Sequence, residues 1–463
     1  MTRRRVLGTC LGTQRCEIVC ATPRAHLWVY TLPIMRLQET ALIGTALVAL
    51  AGGLGLTRLA DANGQTVRDA ETTKVREFSD AGKAALSGEL NRAVARGDTP
   101  GVVGLVVGPD NVLYEGAAGK LDVARNVAMR VNAIFAIASM TKPVTSVAIM
   151  QLCEGGKLKL DDPVSKYLDG FDHLRVITKF NEGDATYETR PAKQPMTIRH
   201  LLTHTSGIGY AFTNPIEERL TEATKKNEWE LPLLNDPGTE WHYSASTRVL
   251  GMIVEKITGM SLEDYDQQHI FKPLGMVDTS YAVPVAKQSR VPVQYNRVNG
   301  GLEAAKAANI PATPTAPFRG DGGLYSTVED YSKFIRMMLN GGRLGAARIL
   351  SESSVKMMGE NNIGAVLVTL QPDADKSRTK PFPLGAGHDK FGLGFQIAAA
   401  DPQDTKHRSP GSLSWAGIYN TEFWIDPVKH IGGVQMMQVL PFYDDGAIRT
   451  LRDFEESVYQ NFR

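Results

Sequence analysis

Ser139 and Lys142 stand three residues apart in the run Ser139-Met140-Thr141-Lys142, at the entry to a long apolar stretch. Residues three apart share a face of an α-helix, so a helix opening near Ser139 brings the lysine amine beside the serine hydroxyl. Such a pair is a nucleophile with its own base. Ala136-Ile137-Ala138 before it, and Val144, Val147, Ala148, Ile149, Met150 and Leu152 after it, predict burial of the segment. Burial lowers a lysine pKa, so Lys142 is expected to be neutral at pH 7. Pro143 fits the first turn, where its missing N–H had no intrahelical partner to lose. The helix N-terminus also turns unpaired N–H groups toward the serine, where negative charge develops on attack.

The same spacing recurs in Ser353-Ser354-Val355-Lys356 and Ser377-Arg378-Thr379-Lys380. Ser377 falls in a loop rich in Pro, Asp and Lys, and Ser353 in a polar run after Ile349-Leu350. Both read as solvated surface. Only Ser139 joins an apolar lead-in to an apolar helix.

Other chemistries find less support. His200 and His204, four apart, could face one metal, yet no His-Glu-x-x-His pattern or third ligand accompanies them, so structural hydrogen bonding is the expected role. The chain has no Gly-x-Ser-x-Gly elbow, which removes the anchor of an α/β-hydrolase triad. Cys10, Cys16 and Cys20 lack a matching second pair for zinc, and Cys153 reads as a buried core thiol; no disulfide framework is implied. No metal and no cofactor are expected.

These residues need a scaffold. The 463 residues are 43% hydrophobic and 22% charged, the composition of a globular protein with a large core. Lys and Arg (51) balance Asp and Glu (50), with no basic stripe, which argues against nucleic acid as a partner. A polar helical segment at 72–95 leads into apolar runs at 101–108 and 112–114 about Pro109-Asp110-Asn111, two strands and a turn. Three more strands are expected at 391–399, 413–425 and 431–440, then a closing amphipathic helix at 448–462. Strands at both ends with helices first and last predict an α+β fold: an antiparallel sheet of five or more strands, flanked by helices, with an inserted mainly helical lobe. The sheet lobe spans about 75–165 and 320–463, the inserted lobe about 166–319 with a helix at 247–258 ended by Gly259. Long loops at 284–317 and 371–394 are expected to border the binding site.

Upstream, residues 1–62 read as an extension. Translation from Met35 would put Arg36 before an uncharged stretch at 41–56 and the small-x-small site Ala60-Asp61-Ala62, a signal peptide with maturation near Asn63. The stretch falls short of the roughly 20 residues of a membrane span, though an uncleaved N-terminal membrane anchor is the alternative. Glu39 counts against both. Export, to the periplasm or beyond, is the expectation; without that signal, the cytoplasm.

A second landmark is Trp241-His242-Tyr243-Ser244-Ala245-Ser246, followed by Val249-Leu250-Gly251 on a helix; a third is Trp415-Ala416-Gly417 on a late strand. Singly, Tyr243 and Trp415 read as core aromatics. In this order with Ser139 and Lys142, they resemble the serine β-lactamase and penicillin-binding-protein superfamily, in its class C-like branch that includes the family VIII carboxylesterases. Leu201-Leu202-Thr203-His204-Thr205-Ser206-Gly207, Pro273-Leu274-Gly275-Met276 and Gly322-Gly323-Leu324-Tyr325 also resemble that branch, and the likeness runs from roughly residue 75 to the C-terminus.

The resemblance implies Ser139 as the acylated nucleophile, Lys142 as its activating partner and Tyr243 as the proton shuttle to the leaving group. It implies an oxyanion hole from the backbone N–H groups of Ser139 and Ile418. Two positions depart from class C β-lactamases: Ala245 replaces an Asn, and Trp415-Ala416-Gly417 replaces Lys-Thr-Gly. The groups that would hold a β-lactam's amide and carboxylate are therefore missing, while an indole at 415 suits an apolar acyl or alcohol group. Trp415, Ala416, Gly417 and Ala245 are the expected substrate-binding positions. The expected reaction is hydrolysis of a small-molecule carboxylic ester through an acyl-enzyme. The alternatives are a β-lactamase or D-alanyl-D-alanine carboxypeptidase, an acyltransferase, and a non-catalytic cell-wall binding protein on the same scaffold.

Overall fold

A computed structural model describes residues 77–401 and 406–462. The extension, with the expected Met35 start and signal segment and the three cysteines, lies outside the described residues. No helix among the described residues is long and apolar enough to cross a membrane.

The run Gly101–Val107 is apolar throughout and buried along its whole length, as a central strand must be. It pairs antiparallel with Val112–Asp122 on one side and Ile431–Met436 on the other. The sheet has eight strands, in the order Lys390–Phe391, Gln396–Ile397, Leu413–Gly417, Thr421–Asp426, Ile431–Met436, Gly101–Val107, Val112–Asp122, Val127–Ala128. Both chain ends thus build one antiparallel sheet.

Helices Asp80–Ala95 and Asp445–Asn461 pack together on one face, over a core that includes Leu86, Leu90, Val102, Val106, Trp424 and Phe454. Gly433 permits this layer, because a Cβ there would lie 2.2 Å from the Trp424 ring. The opposite face carries Val328–Leu339 and the larger core with helix Thr141–Glu154.

Several boundaries differ from the sequence reading, each for a local reason. The first helix starts at Asp80, because the Ser79 hydroxyl caps it by accepting the Gly82 N–H. The last starts at Asp445, capped by Asp444. Leu413 to Ile425 is a hairpin rather than one strand: the chain reverses at Ile418-Tyr419-Asn420, with Asn420 left-handed at φ 59°. Phe391 to Ala399 likewise splits, as the Gly392 N–H bonds back to the Phe395 carbonyl. Val439–Leu440 leaves the main sheet and pairs in parallel with Tyr295–Val298. The segment between the sheet halves carries helices Ile198–Leu202, Pro215–Thr224 and Ser246–Thr258, and also two hairpins, Arg175–Phe180 with Tyr187–Pro191 and Tyr295–Val298 with Gly301–Ala304. Cys153 is half-buried rather than fully so, and burial pushes its thiol up to about 12.

Candidate active site

Ser139 lies in a 3-10 turn, Ala138–Met140, that runs straight into the helix Thr141–Glu154. The α-helix proper therefore starts two residues after the serine. Ala138 is held at φ 44°, a strained conformation for a residue with a Cβ, in the bond just before the hydroxyl-bearing residue. The turn is braced by the late strand: a Cβ on Gly417 would lie 2.2 Å from the Ile137 carbonyl, so only glycine fits.

Three side chains converge on this point. The Tyr243 hydroxyl donates to Ser139 Oγ at 2.6 Å, and Lys142 Nζ reaches the same oxygen at 3.3 Å. Lys142 is 2% exposed, and that burial brings its pKa down to about 7, against the opposing pull of the Asp321 charge and with help from Arg319 and Arg248. Burial pushes the Tyr243 phenol the other way, upward, so it holds its proton. A lysine whose pKa burial lowers and a tyrosine whose pKa burial raises thus share one serine oxygen.

Two residues that motif reading did not single out complete the cluster. Lys142 donates to the Tyr210 hydroxyl at 3.1 Å and to the Asp321 carbonyl at 2.7 Å. The Tyr210 hydroxyl donates to Asp321 Oδ2 at 2.5 Å. Burial works against the Asp321 charge, yet Lys142, Arg319 and Arg248 hold its carboxyl below the ordinary value. Tyr210 follows directly on the Leu201 to Gly207 segment, where a turn at Gly207, φ 86°, was the available signal.

Trp415 joins the cluster from the late strand. Its ring lies 5.1 Å from that of Tyr243 and 5.4 Å from Phe391, and it stacks on His204 at 6.1 Å. Ile418, which follows Gly417 at the strand end, and Ser139, within the first turn, carry backbone N–H groups that no regular ladder consumes. Ser139, Tyr243, Trp415, Ala416 and Ile418 all line one cavity of about 290 Å³. Gly417 supports it from behind. Ala245 is the N-cap of helix Ser246–Thr258, buried at 1% exposure, and does not line that cavity.

The other candidates resolve simply. Ser353 and Ser377 do not line the cavity and bond locally, to Ser351 and Asp375. His200 Nδ1 accepts the Thr197 N–H in a capping box, and His204 Nδ1 lies 2.8 Å from the Ser244 hydroxyl. Among the described residues no cluster of His, Cys, Asp and Glu could hold a metal ion. The loop 371–394 does border the cavity, through Phe382, Pro383, Leu384, Gly385 and Asp389.

An antiparallel sheet with helices on both faces is the fold of the serine β-lactamase and penicillin-binding-protein superfamily, and here a serine, a lysine and a tyrosine meet beside its late strand. The chain belongs to the Beta-lactamase family, whose sequence profile matches residues 86–456. It is 29% identical over 351 residues to the monacolin J acid methylbutanoyltransferase of Aspergillus terreus, covering 71% of this chain and 82% of that one. It is also 29% identical over 351 residues to the lovastatin esterase of Penicillium rubens, covering 70% and 85%. The solved structure of unliganded simvastatin synthase (LovD) from Aspergillus terreus superposes with a TM-score of 0.70 at 25% identity, over 82% of this chain and 98% of that one.

Proposed function

We propose that this chain hydrolyses carboxylic esters through an acyl-enzyme on Ser139. The observation that carries the reading is the meeting of Tyr243 and Lys142 on Ser139 Oγ inside a cavity whose near wall is aromatic. Neutral Lys142 takes the serine proton, and Oγ attacks the ester carbonyl. The N–H groups of Ser139 and Ile418 receive the oxyanion. Tyr243 gives its proton to the departing alkoxide and regains one from Lys142. Water then loses a proton to the same pair and attacks the acyl carbon; the bond to Oγ breaks, the acid leaves, and the pair returns the proton to Ser139 Oγ.

Trp415 stands where a lactamase offers an ammonium, which favours esters over β-lactams. Transfer of the acyl group to an alcohol is the second reading, supported by the methylbutanoyltransferase relative and by likeness to simvastatin synthase. The two readings share every step up to the acyl-enzyme.

The test is hydrolysis of p-nitrophenyl butyrate and of a chromogenic cephalosporin by the wild type and by Ser139→Ala. Serine-dependent ester turnover with little lactam turnover is expected. Lactam turnover in excess of ester turnover would sink the reading. Adding a short alcohol to the ester assay and quantifying new ester against free acid separates hydrolysis from transfer.

A further inference from the structure

The cavity at Ser139 continues past the aromatic wall to a polar part, lined by Gln396, Ser414, Glu422, Arg408 and Glu455. Glu422 faces Ala416 across the hairpin, so its side chain lies on the face opposite to Trp415 and Phe423, toward the C-terminal helix. Three buried acids line this part, and their hydrogen bonds differ. Glu455 receives Arg408 through both oxygens, at 2.8 and 2.6 Å. Asp389 receives the Ala399 N–H on one oxygen and Gln396 on the other. Glu422 is 8% exposed and belongs to the cavity wall, and among the described residues its carboxyl has no hydrogen-bond partner.

A buried carboxyl without partners costs stability unless something satisfies it. Burial pushes Glu422 up to about 8, with Arg408 opposing, so at neutral pH it is an uncharged acid. In that form it both donates and accepts a hydrogen bond. Arg408 is already engaged by Glu455, and Arg452, which also lines the wall, lies 3.4 Å from His407 Nδ1.

We infer that Glu422 is a specificity residue: it receives an uncharged, hydroxyl-bearing end of the ester whose carbonyl lies at Ser139. This rests on the ester-hydrolase reading above. It adds that substrates are amphipathic, apolar beside Trp415 and Phe382 and hydroxylated beyond them.

The test compares kcat/KM for esters that differ only by a terminal hydroxyl for methyl exchange. On the acyl side these are p-nitrophenyl ω-hydroxyhexanoate and heptanoate; on the alcohol side, ω-hydroxypentyl and hexyl butyrate. In at least one series the wild type favours the hydroxylated ester, and Glu422→Leu lowers that preference about 10-fold, the scale of one hydrogen bond. Glu422→Gln, which still donates and accepts, keeps it within about 3-fold. Turnover of the plain esters reports whether each variant folds, with Glu422→Ala as the substitute if the leucine variant does not. A wild type without hydroxyl preference in either series, or the same preference in the leucine variant, overturns the inference while leaving the hydrolase reading intact. Preference for p-nitrophenyl hydrogen pimelate, which ends in a carboxylate, overturns it too. No ester turnover at all overturns both.

Discussion

The Tyr210 hydroxyl lies 3.1 Å from Lys142 Nζ while donating its own proton to Asp321 Oδ2. Toward the lysine it can therefore only accept. The Asp321 carbonyl, 2.7 Å from Nζ, also only accepts. A neutral amine has two N–H groups, and both are committed to these partners, which leaves its lone pair for Ser139 Oγ. On the proposed acylation of Ser139, Tyr210 and Asp321 therefore orient Lys142 for proton abstraction. Tyr210→Phe is expected to lower kcat about 10- to 100-fold with KM changed less than about 3-fold, up to the lower bound of what general acid–base catalysis contributes. Steady-state kinetics on p-nitrophenyl butyrate give the split; an unchanged kcat would remove Tyr210 from the machinery.

The pH profile follows from Lys142. Its pKa of about 7 means that kcat/KM should rise with pH below 7 and level off above it, as the amine loses its proton. Tyr243 is held above its ordinary value, so no loss from phenol ionisation is expected between pH 8 and 10. The Asp321 charge raises the Lys142 pKa, whereas Arg319 and Arg248 lower it. Asp321→Asn should therefore move the acidic limb to lower pH. A limb that stays in place, or moves up, contradicts Lys142 as the titrating base.

Local spacing made Ser139 and Lys142 legible, because three residues of helix suffice to bring them together. Tyr243 was found through its motif. Tyr210 and Asp321 were not found, since they reach Lys142 from 68 and 179 residues away and no periodicity encodes that contact. The sheet, its antiparallel sense and its completion by both chain ends were readable from apolar runs. The hairpin inside 413–425 was not, because Tyr419-Asn420 is a weak turn signal, short of the Asn-Gly or Asp-Gly that marks a tight hairpin, between two apolar runs. Glu422, just past that turn, carried no pattern of its own.

Glu217 offers a stability test remote from the chemistry. One of its oxygens accepts the Gly209 N–H at 3.1 Å, and the other is buried without a partner. Burial raises its pKa to about 8 from an ordinary 4.5, with Glu228 adding to the shift. A folded-state pKa above the unfolded one contributes stability fully present below about 4.5 and lost as pH rises through about 8. Glu217→Gln removes this dependence. Urea unfolding should show the variant gaining on the wild type by at least about 1 kcal/mol between pH 5 and pH 8. Parallel pH dependence in the two proteins would mean that the carboxyl ionises freely in the fold.

Trp415→Lys restores the residue type of the lactamase strand, yet lactamase activity is not expected from it. The indole is 7% exposed and packed among His204, Trp241, Tyr243 and Phe391. A lysine there loses those ring contacts and must bury an ammonium or displace its neighbours. His204, which burial keeps well below its ordinary pKa, supplies no counter-charge. Because Tyr243 packs directly on this ring, its hold on Ser139 should loosen. The expected result is a loss of about 3 kcal/mol in unfolding free energy, a fall in ester kcat and no gain with a chromogenic cephalosporin. Trp415→Phe, which keeps an aromatic ring, should retain more of both stability and turnover. Cephalosporin hydrolysis by the lysine variant above that of the wild type would show that the strand residue alone sets the choice between ester and lactam.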